Sequence, residues 1–589
     1  MLNLIKKLKK RELVIMFFSL LFIIMQVQLD LKAPEYMNEI TQIIEKAKID
    51  IEDSSGKNDI WKNGFKMLGC TLLSILCSVV TSYCMVNISS NYSARLRKNI
   101  YDKIQSFSNA EINRFHTASL ITRSTNDVEE IQGLITTGLQ LIVKAPLIAI
   151  LAVRKISSNH WEWTSAIAAS IIFMMLIGII MLKFIVSGFQ RLQVVKDDLN
   201  GITRENLNGQ RVIRAYNSEE IHNKKFSVVS DEYAGINLYI GRIGLFLNPF
   251  MMFIMNIISV FIYWVGAALI NKEDVPGAIV LFGDMIVFMS YGMQIVMAFV
   301  MISLLFVVLP RFLISAKRIN EILLTNPTIN YGTERDDGSE KKVLEFKNIS
   351  FRYPNGHENV LSDISFKVRS GETIAFIGPT GCGKSSIVEL LTRAYDYTSG
   401  SITINGKEIN KYSKESLFSM IGYVPQKSLL LSGDIRKNLR IANENINEND
   451  MLHVLEIAQC KDFIDFDGEG LDKHVAQNGS NLSGGQKQRL SIARALAKRA
   501  DIYIFDDSFS ALDFKTDREV RSKIKSELSE SIMIIVSQRI GTIMDADQIM
   551  VIDNGKILGH GTHYELMMSC SFYKEIVDSQ LREEDNVNE

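Results

Sequence analysis

Two stretches of this sequence hold residues whose types and spacing fit phosphate chemistry. The first runs through Gly378, Pro379, Thr380, Gly381, Cys382, Gly383, Lys384, Ser385 and Ser386, a G-x-x-x-x-G-K-S pattern. An apolar run, TIAFI, precedes it and the helix-like stretch SSIVELL follows, which is the setting this pattern requires. Its glycines let backbone N–H groups curl around an anion, and a following helix N-terminus adds its dipole. Lys384 is placed to reach the β- and γ-phosphates of a nucleotide, and the Ser385 hydroxyl to ligand Mg²⁺. The second stretch is IYIFDDSFSALD, residues 502–513. An apolar run of β-formers there ends in Asp506, which delivers a carboxylate to a metal-bound phosphate. Asp507 follows at once, where a water-polarising base would stand.

Positioning such groups requires a sheet, and VLEFKNISFRYP alternates well enough to supply another strand. The rest of the chain demands a different solvent. At 589 residues the protein is too long for one core. It is 47% hydrophobic although 22% of its residues are charged, and nearly all the long apolar runs lie before residue 310. Six of them, at about 13–34, 65–88, 132–153, 163–186, 243–270 and 278–309, approach or exceed the ~20 residues that cross ~30 Å of hydrocarbon. The segments 89–131 and 187–242 are long and rich in Lys and Arg, whereas 154–162 and 271–277 are short. With the basic KKLKKRE flank, that asymmetry places both termini in the cytoplasm of a multi-pass membrane protein. It leaves 35–62, with Glu35, Glu39, Glu45, Asp50, Glu52, Asp53 and Asp59, as the one sizeable outer loop. Helical spacing of Leu96, Ile100, Ile104 and Phe107, and of Leu207, Val212, Ala215 and Tyr216, extends the spans into cytoplasmic stalks.

The remaining features exclude or narrow function classes. A net charge of −1 provides no basic field for nucleic acid. Cys70, Cys77 and Cys84 recur every seventh residue and share one helical face, where they read as small packing residues. Lys32 and Lys183 sit at span ends, where snorkelling is ordinary. Asp30 lies near an outer end, and Lys144 lies deeper, two residues before Pro146, where an ionisable group faces a bundle interior or a wet cavity. Met285, Met289, Met293, Met297 and Met301 form a slowly winding stripe. It suits either ordinary helix packing or a surface that accepts varied apolar shapes.

Taken together, the motifs resemble the ATP-binding cassette (ABC) family of transporters. NLSGGQKQRLSIARAL contains the family's signature at Leu482, Ser483, Gly484, Gly485 and Gln486. Gln426 ends IGYVPQ like the family's Q-loop, Tyr353 stands where an aromatic stacks on adenine, and SALD, Ser510 to Asp513, matches the D-loop. The resemblance covers nearly the whole chain and implies the half-transporter layout of an exporter. Residues 1–324 are then a six-helix membrane domain, 325–342 a linker, and 343–589 an α/β P-loop NTPase cassette with a helical subdomain. It also implies ATP and Mg²⁺ as cofactors, the metal held by Ser385, Gln426 and Asp506. Two cassettes close head to tail, so the signature of this chain serves the ATP of its partner.

Three positions depart from the family. Asp507 replaces the glutamate that polarises water, Gln538 replaces the switch histidine, and Gln477 replaces a glutamate shortly before the signature. One missing methylene withdraws a carboxylate by roughly 1–1.5 Å, and misplacement on that scale costs about 100-fold in rate. A glutamine amide bonds a phosphate oxygen but carries no titratable proton. The intact P-loop and signature, beside a damaged γ-phosphate end, imply the degenerate-site subunit of a heterodimer whose partner carries the usual Glu and His. The expected cargo is a lipophilic or amphipathic drug-like compound, exported out across a bacterial plasma membrane. An ATP-gated sensor without net transport and a homodimeric lipid flippase are the competing readings.

Overall fold

A computed structural model describes residues 8–49, 56–157, 161–336, 338, 342–354, 356–464 and 468–588. The chain divides into two compact units. One comprises Met1–Ile104 and Ala118–Thr325, and the other comprises Gln105–Thr117 and Asn326–Glu589.

The first unit is built from long helices: Lys10–Ile49, Gly56–Gln105, Leu139–Ile156, Trp161–Asn208, Glu219–Leu245, Leu247–Ile270 and Val275–Leu324. In hydrocarbon every peptide group must be satisfied within its own segment, which only a helix or a closed barrel achieves. Among the described residues, five helices are long and apolar enough to span a membrane. The sixth expected span falls in Trp161–Asn208, where the apolar stretch Trp163–Met174 is described and several side chains beyond it are not. The expected stalk is plain in Gly56–Gln105, a single helix of 50 residues that runs past its apolar part and buries Leu96 and Ile100. The expected outer loop is not a loop. Helix Lys10–Ile49 carries Glu35, Glu39 and Glu45, and the next helix begins at Gly56, while Asp50, Glu52 and Asp53 lie outside the described residues. Leu207, Val212 and Tyr216 do not form a buried face either. Gly209 ends the helix Trp161–Asn208, and Ile213 is the buried residue of the short helix that follows.

Packing in this unit centres on Trp163, fully buried with its ring 4.9 Å from Phe288. Gly266 admits that contact, since a Cβ there would stand 2.7 Å from the Met285 sulfur. Met285 is buried while Met293 and Met297 are exposed on this chain, so the methionine stripe does wind from inside to outside. Lys144 is not a lone cation. Its ammonium lies 3.9 Å from Asp30, which also accepts from Ser74. Nearby, Lys155 pairs with Glu35 at 2.5 Å, and Asn38 donates to Asp284 at 2.8 Å. Charges at membrane depth are tolerated when paired in this way.

Among its described residues the second unit holds two large sheets and a small one that pairs Gly433–Asp434 with His474–Val475. Five parallel strands, in the order Gln548–Asp553, Thr373–Ile377, Ile532–Val536, Ile502–Asp506 and Ile421–Val424, are edged by the antiparallel strand Lys556–Gly561. An antiparallel sheet pairs Leu361–Arg369, Val343–Phe351 and Ser399–Ile404, with short Lys407–Glu408 at its edge. Strands Thr373–Ile377, Ile502–Asp506 and Ile532–Val536 are buried at every residue because both faces of the sheet are covered. The unit begins earlier than residue 343. Gly332 N–H donates to the carbonyl of Tyr412, and the fully buried Lys342 ammonium meets Asp336 at 2.7 Å, so the polar linker is docked.

Residues 105–117 also belong here. Helix Asn109–Phe115 opens with a capping box in which the Glu111 carboxylate accepts from Ser108 N–H at 2.8 Å. Its other oxygen accepts from Thr328 N–H at 3.2 Å. Phe107 and Phe115 stack at 5.9 Å, and Asn113 donates to the Tyr395 hydroxyl at 2.9 Å. Burial pushes the Glu111 carboxyl up, but the donors of Ser108 and Thr328 outweigh it and hold it below the usual range. Losing a cap costs about 1 kcal/mol. Glu111→Ala should therefore speed amide exchange across Ser108–Phe115 roughly fivefold. Unchanged protection would refute the role of this carboxylate.

Candidate functional site

The parallel pairing brings the chemistry together. Val536 lies opposite Asp506, Phe505 opposite Val424, and Ser537 N–H donates to the carbonyl of Phe376 at 3.2 Å. The loops leaving these strands therefore emerge at one end of the sheet, the end where open α/β sheets bind ligands. They carry Gly378–Gly383, Gln426, Asp507 and Gln538.

After strand Thr373–Ile377 the chain turns through the glycine-rich loop into helix Lys384–Leu391. Gly383 sits at the helix N-cap with φ +108°, a conformation only glycine adopts freely. A Cβ at Gly378 would stand 2.0 Å from the carbonyl oxygen of Ile552. Lys384 is buried and donates to the carbonyls of Gly378 and Pro379 at 2.7 and 2.8 Å. Ser385 is exposed at the helix start, whereas Ser386 and Cys382 are buried.

Strand Ile502–Asp506 is buried at every residue. Burial, then the neighbouring Asp507 and Glu389 carboxylates, push the Asp506 carboxyl up to about 6, against the pull of Lys384. Asp507 has φ +47°, and its N–H donates to Val536 at 2.8 Å. Its carbonyl accepts from the Ser510 hydroxyl at 2.9 Å and the Gln488 amide at 3.4 Å, while one carboxylate oxygen lies 3.5 Å from the Gln426 amide. Gln538 exposes its side chain, and its carbonyl accepts from Gln580 at 2.6 Å. Arg539 donates to the carbonyl of Ser510 at 2.8 Å, tying the switch loop to the D-loop.

Tyr353 is held more firmly than a free stacking platform. Its hydroxyl donates to Glu389 at 2.6 Å and lies 3.0 Å from Ser386 Oγ, and its ring meets Tyr395 edge-on at 5.1 Å. Burial and the Glu389 carboxylate push its hydroxyl above the usual range.

The signature stretch belongs to a second cluster. Ser483 is the N-cap of helix Gly484–Leu496, and Gln486 completes a capping box by accepting from Ser483 N–H at 2.9 Å. A Cβ on Gly485 would stand 3.2 Å from the carbonyl of Ala511, so the helix start presses on the D-loop backbone. Leu482 is buried beneath it, and Asp513 caps the next helix by accepting from Thr516 N–H at 3.0 Å. Gln477 is exposed in the turn before the signature.

Sequence reasoning missed Glu389, Gln488, Arg539 and Gln580. Glu389 and Gln488 stand inside the SSIVELL and NLSGGQKQRLSIARAL stretches and Arg539 beside the switch position, but no spacing marks any of the four.

The shift at Asp506 has a signed consequence. A carboxyl raised in the folded state disfavours folding above its folded pKa and is relieved as pH falls toward the unfolded value of about 4. In protein free of nucleotide and metal, Asp506→Asn should stabilise by on the order of 2–3 kcal/mol at pH 8. That gain should halve near pH 5 and almost vanish at pH 4. Thermal unfolding followed across pH is the measurement, and a pH-independent effect would contradict burial as the cause.

Comparison with known proteins agrees with this geometry. Residues 15–299 match the family described as ABC transporter transmembrane region, and residues 361–510 match ABC transporter. An uncharacterized ABC transporter ATP-binding protein of Mycobacterium tuberculosis (strain ATCC 25618 / H37Rv) is 34% identical over 90% of this chain and 91% of its own. The ATP-dependent lipid A-core flippase of Syntrophus aciditrophicus is 31% identical over 86% of this chain and 84% of its own. The fold matches the ATP-bound structure of a bacterial Atm1-family ABC exporter with a TM-score of 0.78, at 20% identity, covering 97% of this chain and 99% of that one. The chain belongs to the ABC transporter family, as a half-transporter that joins a transmembrane region to an ATP-binding cassette in one polypeptide.

Proposed function

We propose that this chain is the slow-site subunit of a heterodimeric exporter, moving hydrophobic or amphipathic drug-like compounds out across a bacterial plasma membrane. The observation that carries this reading is the company Asp507 and Gln538 keep. Both leave the sheet beside an intact glycine-rich loop, and both lack the group that hydrolysis needs.

The site fits a magnesium nucleotide. Gly381 and Gly383 hold left-handed backbone with φ +86° and +108°, turning their N–H groups into an anion cradle. Lys384 lies under that loop to meet phosphate charge. Ser385, Asp506 and Gln426 offer the hard oxygens that Mg²⁺ prefers, and the carboxyl of Asp506 is crowded enough by like charge to welcome a cation. The metal supplies neutralisation of phosphate charge when bound. Tyr353, fixed by Glu389, offers its ring to the base. Asp507 reaches less far than a glutamate, and the Gln538 amide binds oxygen without holding a proton. Binding survives and turnover suffers. The signature cluster, Leu482 to Gln486 with Ser510 and Asp513, is whole and is directed at the partner's nucleotide. Met293 and Met297, exposed on the last long apolar helix, offer polarisable surface for varied cargo.

A second reading is a homodimeric lipid flippase, which the likeness to the lipid A-core flippase favours. One comparison separates the two. Purified without a partner, the wild-type chain should hydrolyse ATP slowly. Asp507→Glu combined with Gln538→His should raise that rate by on the order of 100-fold. Brisk turnover by the wild-type chain alone would sink the heterodimer proposal in favour of the flippase.

A further inference from the structure

The C-terminal helix Ser571–Asn588 carries none of the sequence motifs, yet one of its side chains grips the switch loop. The Gln580 amide uses both of its ends. Its Nε2 donates to the carbonyl of Gln538 at 2.6 Å, and its Oε1 accepts from Ile540 N–H at 2.8 Å. One planar amide on two peptide groups acts as a neighbouring strand does. Ile540 opens the short helix Ile540–Ile543, so its N–H has no partner inside that helix and Gln580 caps it.

Arg539 sits between the two bonds. Its N–H donates to Ser537 Oγ at 3.0 Å and its guanidinium to the carbonyl of Ser510 at 2.8 Å. The loop is therefore held from the sheet, from the D-loop and from the C-terminal helix. That helix is itself well seated. Tyr573 and Val577 are buried in the core, and their spacing puts Gln580 on the same helical face.

We infer that Gln580 is a positioning residue for recognition of the γ-phosphate, and that through it the C-terminal helix sets how this chain's site discriminates ATP from ADP. This rests on reading Gln538 as the γ-phosphate contact. It is independent of the heterodimer, of slow turnover and of the cargo. The Gln538 side chain is exposed, so its direction is set by its backbone, and the clamp fixes that backbone on one side. ADP has no γ-phosphate, so a displaced switch loop weakens ATP alone.

The test uses the full-length chain in lipid nanodiscs with Mg²⁺, competing ATP and ADP against a fluorescent nucleotide. Gln580→Glu is nearly isosteric. It still accepts from Ile540 N–H but sets a carboxylate oxygen against the carbonyl of Gln538. Gln580→Met has similar length and cannot bond either peptide group, and it carries the same expectation should the glutamate variant fail to accumulate. ATP affinity should fall roughly three- to tenfold, the worth of one or two net hydrogen bonds, with ADP affinity unchanged. In a Gln538→Ala background the Gln580 substitutions should add nothing further. Equal losses for ATP and ADP, or no loss of either, would overturn the inference. If Gln538→Ala itself leaves ATP preference intact, the fault lies instead in the reading of Gln538.

Discussion

The cassette depends on one unfavourable burial. Asp506 ends a strand with no exposed residue, and its carboxyl is pushed up to about 6 by lost solvation and by two nearby carboxylates. Such a group is a standing cost in the absence of positive charge, and only the Lys384 ammonium opposes it. The parallel ladder on both sides of Ile502–Asp506 over-determines its place, so the cost cannot be escaped by moving. A buried acid that cannot relax is a ready partner for a cation brought in by a polyphosphate. The apolar strand is thus what raises the carboxyl.

From that strand the constraint spreads through backbone contacts. Asp507 turns the chain with φ +47°, and its carbonyl is gripped by Ser510 and Gln488. Gln488 is buried in the signature helix, and its other end accepts from Ala511 N–H at 3.0 Å. Arg539 then joins the switch loop to the same turn. The result is one connected hydrogen-bonded body that contains the end of strand Ile502–Asp506, the D-loop, the signature helix and the switch loop. Buried polar connections of this kind are rigid when fully satisfied, because each broken bond leaves a desolvated group behind.

How much of this was legible depended on what each residue does. The glycine-rich loop and the signature were readable because they need particular residues for backbone reasons. Gly383 must adopt φ +108°, and Gly485 must let a backbone approach. Their spacing is local, so the pattern survives in one dimension. Glu389, Gln488 and Gln580 were illegible because their meaning is a contact across the fold. Gln580 touches residues about forty positions away, and nothing in its own neighbourhood marks it. Lys144 and Asp30 were each visible as charges within apolar runs, but their pairing requires two helices to be laid side by side. The start of the compact cassette unit at Asn326 was illegible for a related reason. Residues 105–117 and 326–342 look like connecting segments by composition, and it is Glu111, Asn113 and Gly332 finding partners far along the chain that makes these segments part of the cassette.

The two departures from the family share a structural trait that explains how they coexist with an intact fold. At Asp507 the fold uses the N–H, the carbonyl and the turn conformation, while the side chain has only a long reach to Gln426. At Gln538 the fold uses the carbonyl, and the side chain is exposed. A shorter acid at the first position and an amide at the second therefore remove nothing on which packing or hydrogen bonding depends. An acid with φ > 0 is also tolerable, since short polar side chains visit that region more readily than bulky ones. Positions where the fold uses only the backbone can change side chain without unfolding the protein. At Gly378, where a Cβ would stand 2.0 Å from the carbonyl oxygen of Ile552, and at Gln488, whose amide bonds both Asp507 and Ala511, a change removes a contact that the fold itself uses. The pattern of what has changed follows that division, and it accounts for a cassette that keeps its architecture while Asp507 and Gln538 depart from the family's residues.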